Sequence, residues 1–201
     1  GGAVGMALLA AMAAAFAPRL SAITAGIGLV ALVMFAPVQG EIAEQVIPSS
    51  AHRQLQDSHS RDRVDIWLSF GEAIRARPWL GSGFGTSPTL HESPVAAEVS
   101  PARRMLLAVG HPHSAQVQVW AELGMAGAGL LLWAGLALVA AIGRRPRRNR
   151  IALLAALASA ITIAAVGHGA WQGWWIATLA GSIIWFRIFD VMSLKKEPRH
   201  D

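Results

Sequence analysis

Two histidines, His111 and His113, stand where a polar stretch of the chain meets a long apolar run. They belong to the sequence His111-Pro112-His113-Ser114, which is followed after nine residues by Gly124 and then by Gly127. An imidazole exchanges protons near neutral pH, so a histidine in this place could accept a proton from a lipid-borne substrate at a membrane surface. The pattern predicts acid–base chemistry at the outer end of a membrane helix.

Arg63 is the second candidate. It precedes Ile66 by three residues and Trp67 by four, so on a helix it would share their apolar stripe. A guanidinium keeps its charge and binds phosphate oxygens in a bidentate fork, although it can also snorkel to water. On spacing alone the plainer interpretations, a solvated arginine and an interfacial histidine that begins a helix, stay open beside the catalytic one.

The residues after His113 could extend this site. A regular helix would place four of them on the face of the His113 imidazole: Gln116, Trp120, Gly124 and Gly127. Small residues on that face would let a helix or a lipid chain approach closely. Glu122 would point to the opposite side, as the one charge inside this span.

Two other kinds of site are not supported. The glycine-rich Gly81-Ser82-Gly83-Phe84-Gly85 lacks the preceding strand and the lysine of a phosphate-binding loop, and a flexible turn explains it better. A metal site built from His91, Glu92, His111 and His113 would have irregular spacing, and Pro112 would splay two of its imidazoles. We therefore expect no metal and no cofactor.

Composition indicates an integral membrane protein, because 54% of the 201 residues are hydrophobic and only 14% are charged. The absence of cysteine excludes disulfides and thiolate chemistry. The net charge of +5 comes largely from arginines in the short connector at 144–150 and from the basic tail. This distribution indicates how the chain is oriented in the membrane, and it predicts no nucleic-acid partner.

The apolar runs predict an all-α, polytopic membrane bundle of five spans. We expect two transmembrane helices in 1–40, a periplasmic loop at 41–112, three transmembrane helices in 113–194 and a cytoplasmic tail at 195–201. Gly167-His168-Gly169 would divide the last two spans. The positive connectors place the loop outside, on the periplasmic side of a bacterial inner membrane. A start without methionine, directly in an apolar run, predicts a C-terminal fragment.

Within the loop, the pattern predicts one amphipathic helix over 61–77. Ser60 is a suitable N-cap and Pro78 would end the helix. The prolines that follow, Pro88, Pro94 and Pro101, predict an irregular stretch that could act as a mobile lid.

These motifs resemble the C-terminal half of the O-antigen ligase and polymerase family, bacterial membrane glycosyltransferases that use undecaprenyl-diphosphate-linked glycans. The family signature is a His, then Asn, Ser or Gln, nine residues, Gly, two residues and Gly. His113-Ser114 with Gly124 and Gly127 match it, and His111-Pro112 is typical of many members. Upstream, the family often has an Arg four residues before a Trp, then a Pro and a Gly-x-Gly-x-Gly turn, which are matched here by Arg63, Trp67, Pro78, Gly81, Gly83 and Gly85.

The resemblance implies that His113 is the catalytic histidine and that Arg63 grips the diphosphate. It implies a metal-independent, inverting transfer of a glycan from undecaprenyl diphosphate to a hydroxyl of lipid A-core or of another glycan, beside membrane lipids. Family members have about twice as many spans and a further functional arginine in an earlier loop. Substrate-binding residues implied by the matched motifs are His111, Ser114, Gln116, Trp67, Gly81, Gly83, Gly124 and Gly127.

The alternative function is a membrane transporter or scaffold without catalytic activity. Transporters tend to place charges or broken helices at mid-membrane depth. Here the unusual residues cluster at the expected outer surface, which favours the transferase.

Overall fold

The computed structural model describes residues 2–48, 60–167 and 169–194, and it is helical throughout, with no strand in those ranges. This confirms the all-α fold class. The described chain has seven longer helices: α1 (Gly2–Phe16), α2 (Pro18–Met34), α3 (Gln39–Val46), α4 (Ser60–Ala76), α5 (Ala115–Gly143), α6 (Arg147–Val166) and α7 (Gly173–Leu194). Among these described residues, those up to Ala170 form one compact unit, and those from Trp171 onward form a second.

The apolar N-terminal helices are shorter than the runs that encode them. Pro18 starts α2 directly after α1, since its fixed φ suits the first helical turn. Pro37 lies in a 3-10 turn, Ala36–Val38, that ends the same apolar run early. The run expected to reach residue 40 is therefore divided between α2, this turn and the start of α3.

Some of the helices have the length and composition of a membrane span. Among the described residues, α5 and α6 are each long and apolar enough to cross a bilayer. A third candidate joins Arg19–Met34 to Ala36–Val46 across a bend of 55°. The five spans and the periplasmic position of the loop stay predictions.

Helix α5 is not the straight span that its composition suggests. Gly124 interrupts it with φ 59° and ψ −153°, a conformation that is natural only for glycine. Most side chains before Gly124 are buried, whereas most of those after it are exposed. Residues 125–143 alone rise about 28 Å, close to the thickness of a hydrocarbon core. Glu122 lies in the buried segment before the break, and the exposed, apolar part of α5 follows it.

The segment before the break lies across the ends of two other helices. Trp120 Nε1 donates to the Val33 carbonyl in the last turn of α2, at 2.7 Å. Gln116 Nε2 is 3.4 Å from the Ala165 carbonyl in the last turn of α6. These contacts hold residues 115–123 against the ends of α2 and α6, and we call this segment the platform.

The loop folds on this platform around α4, which lies one residue earlier than the expected 61–77. Gly40 brings α3 against the backbone of α4, because a Cβ there would be 2.6 Å from the Leu68 nitrogen. The proline-rich stretch, expected to be irregular, consists of short helical turns. It supplies five side chains to the core cluster that contains Phe70: Leu90, Val95, Ala96, Val99 and Leu107.

Candidate functional site

The histidine pair lies just outside α5. The helix begins at Ala115 after an extended Ser114, and His113 has a positive φ of 51°, rare for a residue with a side chain. The expectation that His113 shares a helical face with Gln116, Gly124 and Gly127 is therefore wrong. Its backbone has left the helix, and Gly124 breaks the periodicity farther along.

The two imidazoles are in direct contact. Their ring centroids are 4.3 Å apart at an interplanar angle of 62°. The backbone N–H of His113 donates to Nδ1 of His111 at 3.2 Å. When His111 is neutral, this bond requires its proton to lie on Nε2. The N–H bond and the ring contact together hold the two histidines side by side.

Trp67 connects the helix of Arg63 to the histidines. Its indole Nε1 donates to the carbonyl of Pro112 at 2.9 Å, in a buried contact between α4 and the residue between the two histidines. Arg63 lies one turn before Trp67 on the same helix and is half-buried. Trp67 and Pro112 are 45 residues apart in sequence, so this bond brings the two motifs together in space.

Two other arginines of this part of the loop are engaged elsewhere. Arg75 pairs with Glu41, and Arg77 pairs with Glu98, each at 2.8 Å. Within the described residues, no carboxylate lies at ion-pair distance from Arg63.

Glu72 holds a separate, structural ion pair with Arg103 at 2.8 Å. It also accepts hydrogen bonds from the N–H and the hydroxyl of Ser100. Desolvation by burial acts to raise the pKa of the Glu72 carboxyl, but these bonds and the Arg103 charge outweigh it and lower the pKa. This pair fastens the turn at Pro101–Arg104 to α4.

Gln39, at the start of α3, holds the beginning of α5. Its Oε1 accepts from Nε2 of Gln116 at 2.7 Å and lies 3.4 Å from the hydroxyl of Ser114. Ser114 and Gln116 are almost fully buried. Both of these predicted substrate-binding residues therefore bond to the protein itself, directly below His113.

Gln118 and Glu122 form a second polar connection on the platform. Gln118 Nε2 donates to Oε1 of Glu122 at 2.7 Å, and Gln118 Oε1 accepts the Ala170 N–H at 2.8 Å. Gly169 packs flat between Gln118 and His111, since its Cβ would be 2.7 Å from Gln118 Oε1 and 3.3 Å from Cγ of His111. The turn after α6 is thus fixed against the His111 ring.

The glycine-rich turn is locked onto the break in α5. A Cβ on Gly124 would lie 2.6 Å from the backbone nitrogen of Gly81, and one on Gly81 would lie 2.6 Å from the backbone nitrogen of Leu123. The N–H of Gly83 donates to the Glu122 carbonyl at 2.8 Å. Gly127 is buried, with Leu123 where its own side chain would be. Gly81 and Gly124 thus permit backbone-to-backbone packing, whereas Gly127 makes room for the Leu123 side chain.

Sequence reasoning missed Gln39 and Gln118 and did not assign partners to Glu122. The signal for Glu122 was present, because a lone carboxylate in an apolar run needs partners when it is buried. Gln39 and Gln118 carried no comparable signal.

Two other kinds of ligand site can be compared with this arrangement, a metal site and an apolar groove. Among the described residues, no group of three histidine or carboxylate side chains could hold a metal ion. An apolar groove of about 400 Å³ lies between α1, α2 and α6, where Ser21, Thr24 and Thr162 are its polar lining residues. It is remote from the histidines in sequence and has no titratable side chain in its lining.

The fold and the site together define a class, an all-helical membrane protein with a polar, histidine-bearing platform at the ends of its apolar helices. A family model described as O-antigen ligase matches residues 1–134, a range that contains both motifs. The chain belongs to the O-antigen ligase family, which indicates a glycosyltransferase-type enzyme. No curated protein and no solved structure was found to match it.

Proposed function

We propose that this chain carries the catalytic part of a glycosyltransferase that moves a glycan from undecaprenyl diphosphate to a hydroxyl acceptor without a metal ion. His113 accepts the proton of the acceptor hydroxyl. The hydroxyl oxygen attacks the anomeric carbon from the face opposite the diphosphate. The bond between that carbon and the phosphate oxygen breaks, and the electron pair leaves with the diphosphate. The configuration at the anomeric carbon is inverted.

The hydrogen bond from Trp67 to the Pro112 carbonyl is the observation that carries this proposal. It joins the helix of Arg63 to the loop of His113 through a buried, 2.9 Å contact. A general base and a cation for the leaving group must approach one substrate together, and proximity of this kind supplies much of the rate of a transfer reaction.

The conformation of His113 supports its role as the base. A positive φ in a residue with a side chain costs about 1 to 3 kcal/mol and persists where the surrounding structure enforces it. Here the enforcing contacts are the bond to His111 and the extended, buried Ser114 that follows. His113 itself stays partly exposed, as a base that meets a substrate must be.

Arg63 supports the same reaction from the leaving-group side. Diphosphate gains negative charge as the bond breaks, and a fixed guanidinium offsets this charge. Arg75 and Arg77 are neutralised by glutamates, whereas no carboxylate in the described residues neutralises Arg63. The charge of Arg63 is therefore available to an anionic substrate.

The test is transfer from undecaprenyl-diphosphate glycan by the purified protein in liposomes, with lipid A-core and free glycan supplied as separate acceptors. We expect His113→Ala to lower kcat by about 10² to 10⁴-fold, the usual contribution of a general base. Arg63→Ala should lower it by about 10²-fold or more, and Arg63→Lys should recover only part, since lysine lacks the bidentate fork. EDTA should leave the rate unchanged.

Two exposed residues of the same loop serve as matched controls. His91→Ala and Arg61→Lys should leave the rate within about two-fold of the parent, because surface substitutions away from a site have small effects. Full transfer by His113→Ala, or loss upon EDTA treatment that added divalent metal restores, would contradict the proposal. The acceptor that is used distinguishes a ligase from a polymerase.

A further inference from the structure

The glycine-rich turn presents large apolar side chains to its surroundings. Leu80 is 75% exposed, and Trp79 and Phe84 are each 69% exposed. No charged residue occurs between Trp79 and Gly85. Three large apolar side chains this exposed on one short turn indicate contact with an apolar environment.

The turn is attached to the beginning of the apolar segment of α5. The Pro78 carbonyl accepts the Met125 N–H at 2.8 Å, and the Trp79 carbonyl accepts the Ala126 N–H at 3.2 Å. Met125 directly follows the break at Gly124, where the burial of α5 ends. The turn thus lies beside the first residues of the part of α5 that suits a membrane span.

The exposed surface continues from the turn along α5. Leu130 and Trp133 are 68% and 72% exposed, and they face outward from a segment that is apolar over its whole length. Lipid is the expected environment of these side chains in a membrane protein of this family. The side chains of the turn extend this surface beyond the helix.

Several backbone N–H groups of the turn form hydrogen bonds within the protein. Irregular backbone is tolerated near a bilayer only where its polar groups are satisfied within the protein. The Gly81 N–H bonds to the Arg77 carbonyl at 3.1 Å, and the Ser82 N–H bonds to the Ala121 carbonyl at 2.9 Å. The Gly85 N–H bonds to Oε2 of Glu122 at 2.6 Å. An ordinary water-exposed turn does not require this degree of internal pairing.

We propose that residues 79–84 are a membrane-anchoring turn, inserted into the boundary between headgroups and acyl chains of the bilayer. Tryptophan prefers this depth, because its ring is apolar and its N–H is polar. The occupant of the surface is phospholipid. Because the turn is bonded to Glu122 and packed on Gly124, its depth also sets the depth of the platform on which the histidines stand. This inference does not depend on the proposed reaction.

The absence of cysteine allows a direct measurement of depth. Single variants Leu80→Cys and Phe84→Cys are labelled with a nitroxide in vesicles of phosphatidylethanolamine and phosphatidylglycerol. Collision of the label with oxygen, which concentrates in acyl chains, is compared with collision with a water-soluble nickel chelate. Leu130→Cys serves as the reference within the span, and Thr89→Cys, at an exposed position of the loop, is the matched control.

We expect the ratio of oxygen to nickel collisions to rise in the order Thr89, then Leu80 and Phe84, then Leu130. A ratio at both turn positions equal to that at Thr89 would place the turn in water and overturn the proposal. Labels at both turn positions that are immobile and reached by neither reagent would also overturn it, because another protein surface would then cover the turn. All four positions are exposed, so the fold tolerates the label, and a circular dichroism spectrum checks this for each variant.

Discussion

Gln118 and Glu122 are joined head to tail, with Nε2 of Gln118 donating to Oε1 of Glu122 at 2.7 Å. The other ends of both side chains are also bonded, Gln118 to the Ala170 N–H and Glu122 to the Gly85 N–H. This pair therefore connects the turn beneath His111 to the glycine-rich turn at the break of α5. The Ala170 N–H donates to Gln118, whereas Glu122 is the acceptor in its bonds with Gln118 and Gly85 and in a third one from the Ser87 N–H at 3.3 Å.

The direction of these donors makes Glu122→Gln unfavourable. An amide at 122 must turn its NH2 group toward either the Gly85 N–H or the Gln118 NH2 group, and a buried donor then lacks an acceptor. We expect a loss of about 1 to 3 kcal/mol in the free energy of unfolding, measured by titration from mixed micelles into SDS.

The reciprocal double variant, Gln118→Glu with Glu122→Gln, restores the bond between the two side chains. Glu at 118 can accept from both Ala170 and the new amide, and Gln at 122 can still accept the Gly85 N–H. The Ser87 N–H, which is 3.3 Å from Oε1 of Glu122 in the parent, would face the new NH2 group, so we expect the double variant to recover only part of the loss of the single variant. A double variant as unstable as the sum of both single variants would show that the hydrogen-bond direction is not what matters.

Gly124→Ala should disrupt the break in α5. The new Cβ would meet the backbone of Leu80 and Gly81 at 2.6 Å, and the positive φ disfavours any side chain. We expect a loss of about 3 kcal/mol or more, measured by the same SDS titration. The matched control is Gly129→Ala on the same helix, where nothing lies within 4 Å of the added Cβ. It should be neutral or stabilising by up to about 1 kcal/mol, since alanine favours a helix.

Trp67→Phe removes the donor to the Pro112 carbonyl and keeps an aromatic ring in the core. We expect about 1 to 3 kcal/mol of destabilisation from the buried, unpaired carbonyl. If Trp67 positions the histidine loop, kcat for glycan transfer should fall more than KM changes. Trp133→Phe, at an exposed position of α5, should change neither the free energy of unfolding nor kcat. Unchanged kcat in a folded Trp67→Phe variant would remove Trp67 from the catalytic arrangement.

The pair of Glu72 and Arg103 predicts a dependence of stability on pH. The pKa of Glu72 is lowered in the fold, relative to about 4.3 in an unfolded chain. The fold therefore binds the proton less well than the unfolded chain, so the stabilisation is fully present above that value and is lost as the pH falls through the lowered pKa. Unfolding midpoints between pH 6 and pH 3 should show this loss, at roughly these limits.

Glu72→Gln should flatten this part of the pH profile, since no carboxylate remains to titrate. Glu44→Gln, which changes an exposed carboxylate of α3, should leave the profile as it is in the parent. A parent profile without any change in the acid range, or a Glu72→Gln profile identical to that of the parent, would contradict the assigned role.

Local patterns predicted the all-α fold, the amphipathic helix of the loop and the family. Apolar runs, Pro78 and the stripe around Trp67 are signals that act within a few turns of the chain. The turn at Pro37, which divides the run expected to reach residue 40, was not predicted. The spacing of Arg63 and Trp67, and of His113, Gly124 and Gly127, identified the O-antigen ligase family that the match over residues 1–134 shows.

Tertiary structure decided how these parts meet. Periodicity assumes a regular helix, so it could not show that His113 precedes α5 or that α5 breaks at Gly124. The break depends on a close backbone contact with Gly81, which is distant in sequence, and a local pattern does not record such a contact. Partners such as Gln39 and Gln118 carry no pattern of their own, because an amide becomes informative only when its donors and acceptors are seen. The sequence alone thus identified the family and nominated Arg63 and His113 as candidates for its chemistry, and the packing of the loop on the broken helix decided how the two motifs are held together.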